Sequence, residues 1–153
     1  MMIRLGNGNG QGRKLAICVQ ALLVAALVVL GSGHAGWAHG GVAAAQTANA
    51  GLAACSNNRG KALYDCVANV LDRLSNEITG SRRNPETQRA LATAASQLRA
   101  ATTKVQALSA ISQCRSVVAG VLRRVLTGGG DSSGLSAIAG VLAHAAKLIQ
   151  TKG

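Results

Sequence analysis

Aromatic side chains are almost absent from this chain. Its 153 residues include one tryptophan, one tyrosine and no phenylalanine. The core therefore has to be built from Leu, Val, Ile and Ala, and such small side chains suit closely packed helices. With so few rings there is no platform on which nucleic acid bases stack, so the sequence predicts no nucleic acid partner.

Catalytic and metal-binding patterns are also missing. The sequence contains no Cys-x-x-Cys, no His-Glu-x-x-His and no glycine-rich loop followed by a phosphate-binding lysine. Asp65 and Asp72 lie two helical turns apart, which is more typical of a solvated helix surface than of an acid pair, and His144 stands alone. We therefore predict a non-enzymatic protein with no catalytic residue, no cofactor and no metal.

The beginning of the chain has the order of a secretory signal peptide. Met1–Leu15 is polar and basic, Ala16–Leu30 is uncharged and apolar, and small residues follow, including Ala43-Ala44-Ala45. The apolar run makes about 22 Å of helix, shorter than a hydrocarbon core of roughly 30 Å, which favours cleavage over permanent anchoring. We expect cleavage after Ala45 and a periplasmic or secreted bacterial protein that meets membrane only through the signal segment or by peripheral contact.

Composition and periodicity divide the rest of the chain. We predict a leader and cleavage region at residues 1–45 and a flexible lead-in at 46–59. A helical bundle follows at 60–127, then a glycine-rich hinge at 128–134 and a C-terminal helix at 135–153. The fold class is all-α: an antiparallel three-helix bundle with a fourth helix on the glycine hinge, preceded by the cleavable signal peptide. The alternative arrangement is a two-helix hairpin with a long kinked arm.

Local signals set the helix boundaries. Gly60–Thr79 carries apolar residues at three- and four-residue steps. Asn84-Pro85 is typical of a helix start, with an N-cap residue followed by proline in the first turn. The apolar stripe changes sides between Thr102 and Ser112, so the long segment after Pro85 has to break there. Thr103 with Gln106 fits a capping box at the new start, and Ser109 is a second candidate start.

The cysteines predict a disulfide. Cys18 lies in the signal run and is expected to be removed, which leaves Cys55, Cys66 and Cys114 in an oxidising compartment. We favour a bridge that involves Cys114, with Cys66 slightly preferred over Cys55 as its partner. The remaining thiol would bridge to another chain or carry lipid, since Leu52-Ala53-Ala54-Cys55 resembles a bacterial lipobox.

Positive charge is the strongest functional signal. The chain contains 16 Lys and Arg but only five Asp and Glu, which gives a net charge of +11. Such a charge attracts anionic surfaces and acidic proteins. We predict that the protein binds an anionic envelope surface or a protein partner through a basic face, formed by Arg82, Arg83, Arg115, Arg123 and Arg124. The alternatives are a periplasmic chaperone-like module with an apolar concave face, and a metal- or redox-handling protein that uses Cys55, Cys66 and Cys114.

Overall fold

A computed structural model describes residues 40–78 and 84–153, all of which belong to one compact unit. Within these ranges the chain forms α-helices and no strand, so the all-α class is confirmed. The predicted signal run and the basic pair Arg82-Arg83 lie outside the described residues.

Five helices make up the described chain. In order they are α1 (Gly40–Cys55), α2 (Gly60–Ile78), α3 (Pro85–Ala100), α4 (Lys104–Thr127) and α5 (Ser133–Lys152). The bounds of α2 agree with the predicted first helix, and the start of α3 at Pro85 is confirmed.

The predicted flexible lead-in at 46–59 is wrong, because most of it belongs to α1. This helix buries Ala44, Ala45, Ala48, Leu52 and Cys55 at three- and four-residue spacing. The sequence hid this pattern because alanine and glycine also occupy the exposed side, so buried and exposed positions carry the same residue types. The helix α1 is therefore recognised from its packing in the structure and not from an amphipathic pattern in the sequence.

The break between α3 and α4 has the predicted capping box. The backbone N–H of Gln106 donates to Thr103 Oγ1 at 3.3 Å, and the Gln106 side chain accepts from the Thr103 N–H at 3.3 Å. These two bonds satisfy groups that a helix start otherwise leaves without partners. At the start of α3, by contrast, Asn84 makes no side-chain cap, and Pro85 alone marks the boundary.

The triglycine segment leads into a helix that packs firmly. Gly129 has φ of 70°, a left-handed conformation that glycine adopts without steric cost. The following helix α5 contacts α1, α2 and α4, and it buries seven residues: Leu135, Ile138, Val141, Leu142, Ala145, Leu148 and Ile149. The C-terminal helix is therefore part of the core rather than a separate arm.

The helices contact one another in a closed cycle. Each packs against the next along the chain, and α5 returns to α1. Cross-helix contacts give the directions: Glu86 with Arg124 and Gln97 with Gln113 make α3 and α4 antiparallel. Five helices cannot close a cycle with antiparallel neighbours alone, so one adjacent pair must run in the same direction.

That parallel pair is α1 and α5. Asn49 meets His144 with 3.1 Å between Oδ1 and Nδ1, and farther along both helices Lys152 Nζ donates to the Ser56 carbonyl. At the beginning of the pair the two backbones touch, since a Cβ added at Gly41 would lie 2.9 Å from the Cα of Gly134. Glycine at this point lets the two helices approach closely enough to close the cycle.

We predict that Gly41→Ala destabilises the fold by about 1–2 kcal/mol, because the new methyl group would push the α5 backbone away. Gly140→Ala is the matched control: a Cβ there meets nothing within 4 Å, so the better helix propensity of alanine should stabilise by about 0.5–1 kcal/mol. Urea denaturation of both variants measures the difference. Equal stabilisation by the two substitutions would contradict a close α1–α5 contact.

Candidate functional site

The structure brings the predicted basic face together only in part. Arg115 and Arg123 are exposed on α4, eight residues or about 12 Å apart along the helix. Arg124 instead turns toward α3 and forms an ion pair with Glu86. Arg82 and Arg83 lie outside the described residues. The described basic face therefore consists of the outward side of α4 with Arg115 and Arg123.

Asp65, Asp72 and Glu86 each form an ion pair. Asp65 pairs with Lys61 within α2, Asp72 of α2 pairs with Arg99 of α3, and Glu86 pairs with Arg124. Asp65 and Asp72, the two carboxylates that share a helix face in the sequence, thus have separate cationic partners. Arg115 and Arg123 take part in none of these ion pairs.

An apolar groove lies between α3 and α4. Its volume is about 330 Å³, and small or apolar side chains form its floor: Ala90, Ala94, Ala110, Cys114 and Val117. The Gln97–Gln113 hydrogen bond of 3.1 Å and the Glu86–Arg124 ion pair bridge the two helices along it. The groove thus combines an apolar floor with a polar rim.

Arg89 is a basic residue that the sequence analysis missed. It is exposed on α3 and lines the groove together with Val117 of α4, whose side chain is 42% exposed. The ion pair between Glu86 and Arg124 shows how α3 is set against α4, and Arg89 follows Glu86 by one helical turn. Arg89 therefore reaches the groove only through the packing of α3 against α4, which the sequence does not state.

The exposed surface of α4 includes large apolar side chains. All three exposed large hydrophobic residues of the described chain belong to it: Val105, Val117 and Leu126. By length and composition α4 is also the one described helix that satisfies the criteria for crossing a membrane. Six of its residues are nevertheless buried in the protein core, and length with composition does not by itself assign a membrane span.

The disulfide joins Cys55 and Cys66, with 5.7 Å between their Cα atoms. The favoured Cys66–Cys114 pairing is therefore wrong. The reason is α1: it runs antiparallel to α2 and ends at Cys55, so a short turn brings Cys55 beside Cys66. The bridge also excludes the lipobox interpretation, because a Cys55 that is buried and bonded through sulfur offers no thiol to acylate.

Cys114 remains as a free thiol on α4. Its side chain is buried, and desolvation raises the pKa of the thiol from 9.0 to about 12. The protonated thiol is a poor nucleophile and a poor metal ligand. Within the described ranges no three His, Cys, Asp or Glu side chains gather as a group that could hold a metal ion, so the metal site built on Cys55, Cys66 and Cys114 does not form there.

His144 has a structural contact. Its ring nitrogen Nδ1 lies 3.1 Å from Oδ1 of Asn49, in a half-buried position between α5 and α1. This hydrogen bond links the parallel pair of helices at about the middle of their length. His144 thus helps to hold together the two helices that close the cycle.

Comparison of the chain with protein-family models, with curated proteins and with solved structures found no match in any of the three.

We predict that replacing both bridged cysteines by serine lowers the free energy of unfolding by about 3 kcal/mol, since the bridge closes a short loop and restricts the unfolded chain. The sequence separation of the two cysteines is 11 residues. Urea denaturation of the oxidised protein and the Cys55→Ser/Cys66→Ser variant measures the loss. Unchanged stability would argue against a formed bridge, and Ser112→Ala on the exposed side of α4 is the control.

We predict a loss of stability in alkali that depends on Cys114. Its pKa is about 12 when folded and 9.0 when unfolded, so above pH 9 the unfolded chain releases the proton while the folded one keeps it. The contribution to stability is complete below pH 9 and is lost as the pH rises toward 12. Cys114→Ala should show a flatter decline between pH 9 and 11 in urea denaturation; parallel declines would contradict the burial of this thiol.

Proposed function

We propose that this chain is an exported, non-enzymatic helical protein that binds an anionic envelope surface through a basic face on α4. In this proposal a cleavable signal peptide carries the chain across the inner membrane, and the five helices fold as one bundle in the periplasm or outside the cell. Arg115 and Arg123 form the centre of the face, with Arg82, Arg83 and Arg124 as further candidates.

The distribution of charge carries the proposal. Asp65, Asp72 and Glu86 each neutralise one basic side chain, which leaves a clear positive excess on the exposed surface. Arg115 and Arg123 lie on a helix without acidic residues, so no carboxylate on α4 offsets them. An anionic surface gains favourable energy at such a site, of about 1 kcal/mol for each Lys or Arg near it.

The exposed apolar side chains of α4 support a membrane surface over a soluble polyanion. Leu126 is 58% exposed and follows Arg123 by three residues, and Val105 is 76% exposed at the other end of the helix, near Lys104. Peripheral binding strengthens when apolar side chains enter the headgroup region next to basic residues. A soluble polyanion would gain from the arginines alone.

The disulfide supports export. Cys55 and Cys66 are bonded at the junction of α1 and α2, and structural disulfides persist in oxidising compartments and are rare in the cytosol. The bridge links the first two helices of the described chain, where it stabilises a core without phenylalanine. This agrees with the signal-peptide order of the first thirty residues.

We predict that Arg115→Glu/Arg123→Glu lowers partitioning onto vesicles containing anionic lipid by at least about tenfold, because two reversals remove attraction and add repulsion. Arg59→Glu/Lys147→Glu is the matched control, since it changes net charge equally at exposed residues away from α4. Cosedimentation at two salt concentrations measures both, and binding should fall as salt rises.

Equal losses in the two double variants would mean that net charge, not the α4 face, drives binding. Binding that survives reversal of all five arginines, Arg82 and Arg83 included, would reject the proposal. Neutral vesicles serve as the baseline in each series.

The groove between α3 and α4 favours a second candidate, a chaperone-like module that holds apolar segments of unfolded proteins. Its apolar floor and its partly exposed Val117 are the observations in favour. We expect Ala90→Phe, which would fill the groove, to abolish suppression of aggregation of a client protein, whereas Ala119→Phe on the exposed side of α4 should leave it intact. An effect of the same size from both variants would contradict the groove as the binding site.

A further inference from the structure

The position of α1 bears on where the leader is removed. Cleavage after Ala45 would discard the first six residues of this helix. Ala44 and Ala45 are 4% and 2% exposed, so the cut would delete two core positions. It would also remove Gly41, whose backbone touches Gly134 at the beginning of the α1–α5 contact.

The small residues that suggest a cleavage site after Ala45 have another physical explanation. Signal peptidase requires small side chains at alternate positions before the cut, and close helix packing requires small side chains as well. In α1, Ala44, Ala45 and Ala48 face the core, and a Cβ added at Gly51 would lie 2.9 Å from Cγ2 of Val70. Packing thus accounts for the small residues of this segment.

We infer that the leader is cleaved after Ala38, and this inference rests on the proposed export of the chain. Gly36-Trp37-Ala38 has small residues at the two required positions, and it is the last such pair before α1 begins at Gly40. Hydrolysis of the Ala38–His39 peptide bond consumes one water, leaves a carboxylate on Ala38 and creates a new α-amino group on His39. The mature chain then keeps the whole of α1.

The test is the intact mass and N-terminal sequence of the protein recovered after expression of the full chain in a bacterial host. The expected first residue is His39. A first residue of Gln46 overturns the inference and leaves export standing, and so does Gly36, which would place the cut three residues earlier. A full-length chain in the membrane fraction with its helices outside the cytoplasm also overturns only the cleavage. A full-length chain soluble in the cytoplasm overturns both proposals.

Two substitutions separate the candidate sites. Ala38→Glu puts a charge directly before the proposed cut and should abolish the product that begins at His39. Ala43→Glu blocks a cut after Ala45 in the same way, yet Ala43 is exposed on α1, and a carboxylate in the first turn of a helix is compatible with folding. Processing should be unchanged in Ala43→Glu. A mature product that depends on Ala43 and not on Ala38 would overturn the inference.

Discussion

The parallel contact between α1 and α5 is the constraint on which the rest of the fold depends. Each helix can run antiparallel to the next one along the chain. A cycle of five helices nevertheless closes only if one adjacent pair is parallel. Gly41 and Gly134 allow that pair to meet backbone to backbone, and the hydrogen bond between Asn49 and His144 holds it farther along. Without α1 in this place, the apolar sides of α2 and α5 would lose the helix that covers them.

The same arrangement determines what the cysteines and charges do. Because α1 ends beside the beginning of α2, Cys55 bonds to Cys66, and Cys114 stays protonated in the core beneath the groove. Because α3 and α4 are antiparallel, Glu86 meets Arg124. Arg115 and Arg123 of the same helix remain exposed, and we propose that they meet an anionic membrane surface there.

Much of the secondary structure could be predicted from local signals. The capping box at Thr103 and the helix start at Pro85 each depend on residues within one helical turn, so both can be recognised in the sequence. The helix α1 and the pairing of Cys55 with Cys66 could not be predicted in the same way. An alanine-rich helix shows no polar face, and a disulfide depends on which helices become neighbours, which local periodicity does not encode.

Some features of the candidate site could be predicted from the sequence, and others depend on the tertiary structure. The sequence by itself determined the all-helical class and the excess of positive charge, because composition and short-range spacing control these properties. Only the tertiary structure decided that Arg124 is neutralised by Glu86, that Arg89 lines the groove and that Ala44 and Ala45 belong to the core. Each of these depends on contacts between residues distant in the chain, and such contacts exist only once the five helices have closed their cycle.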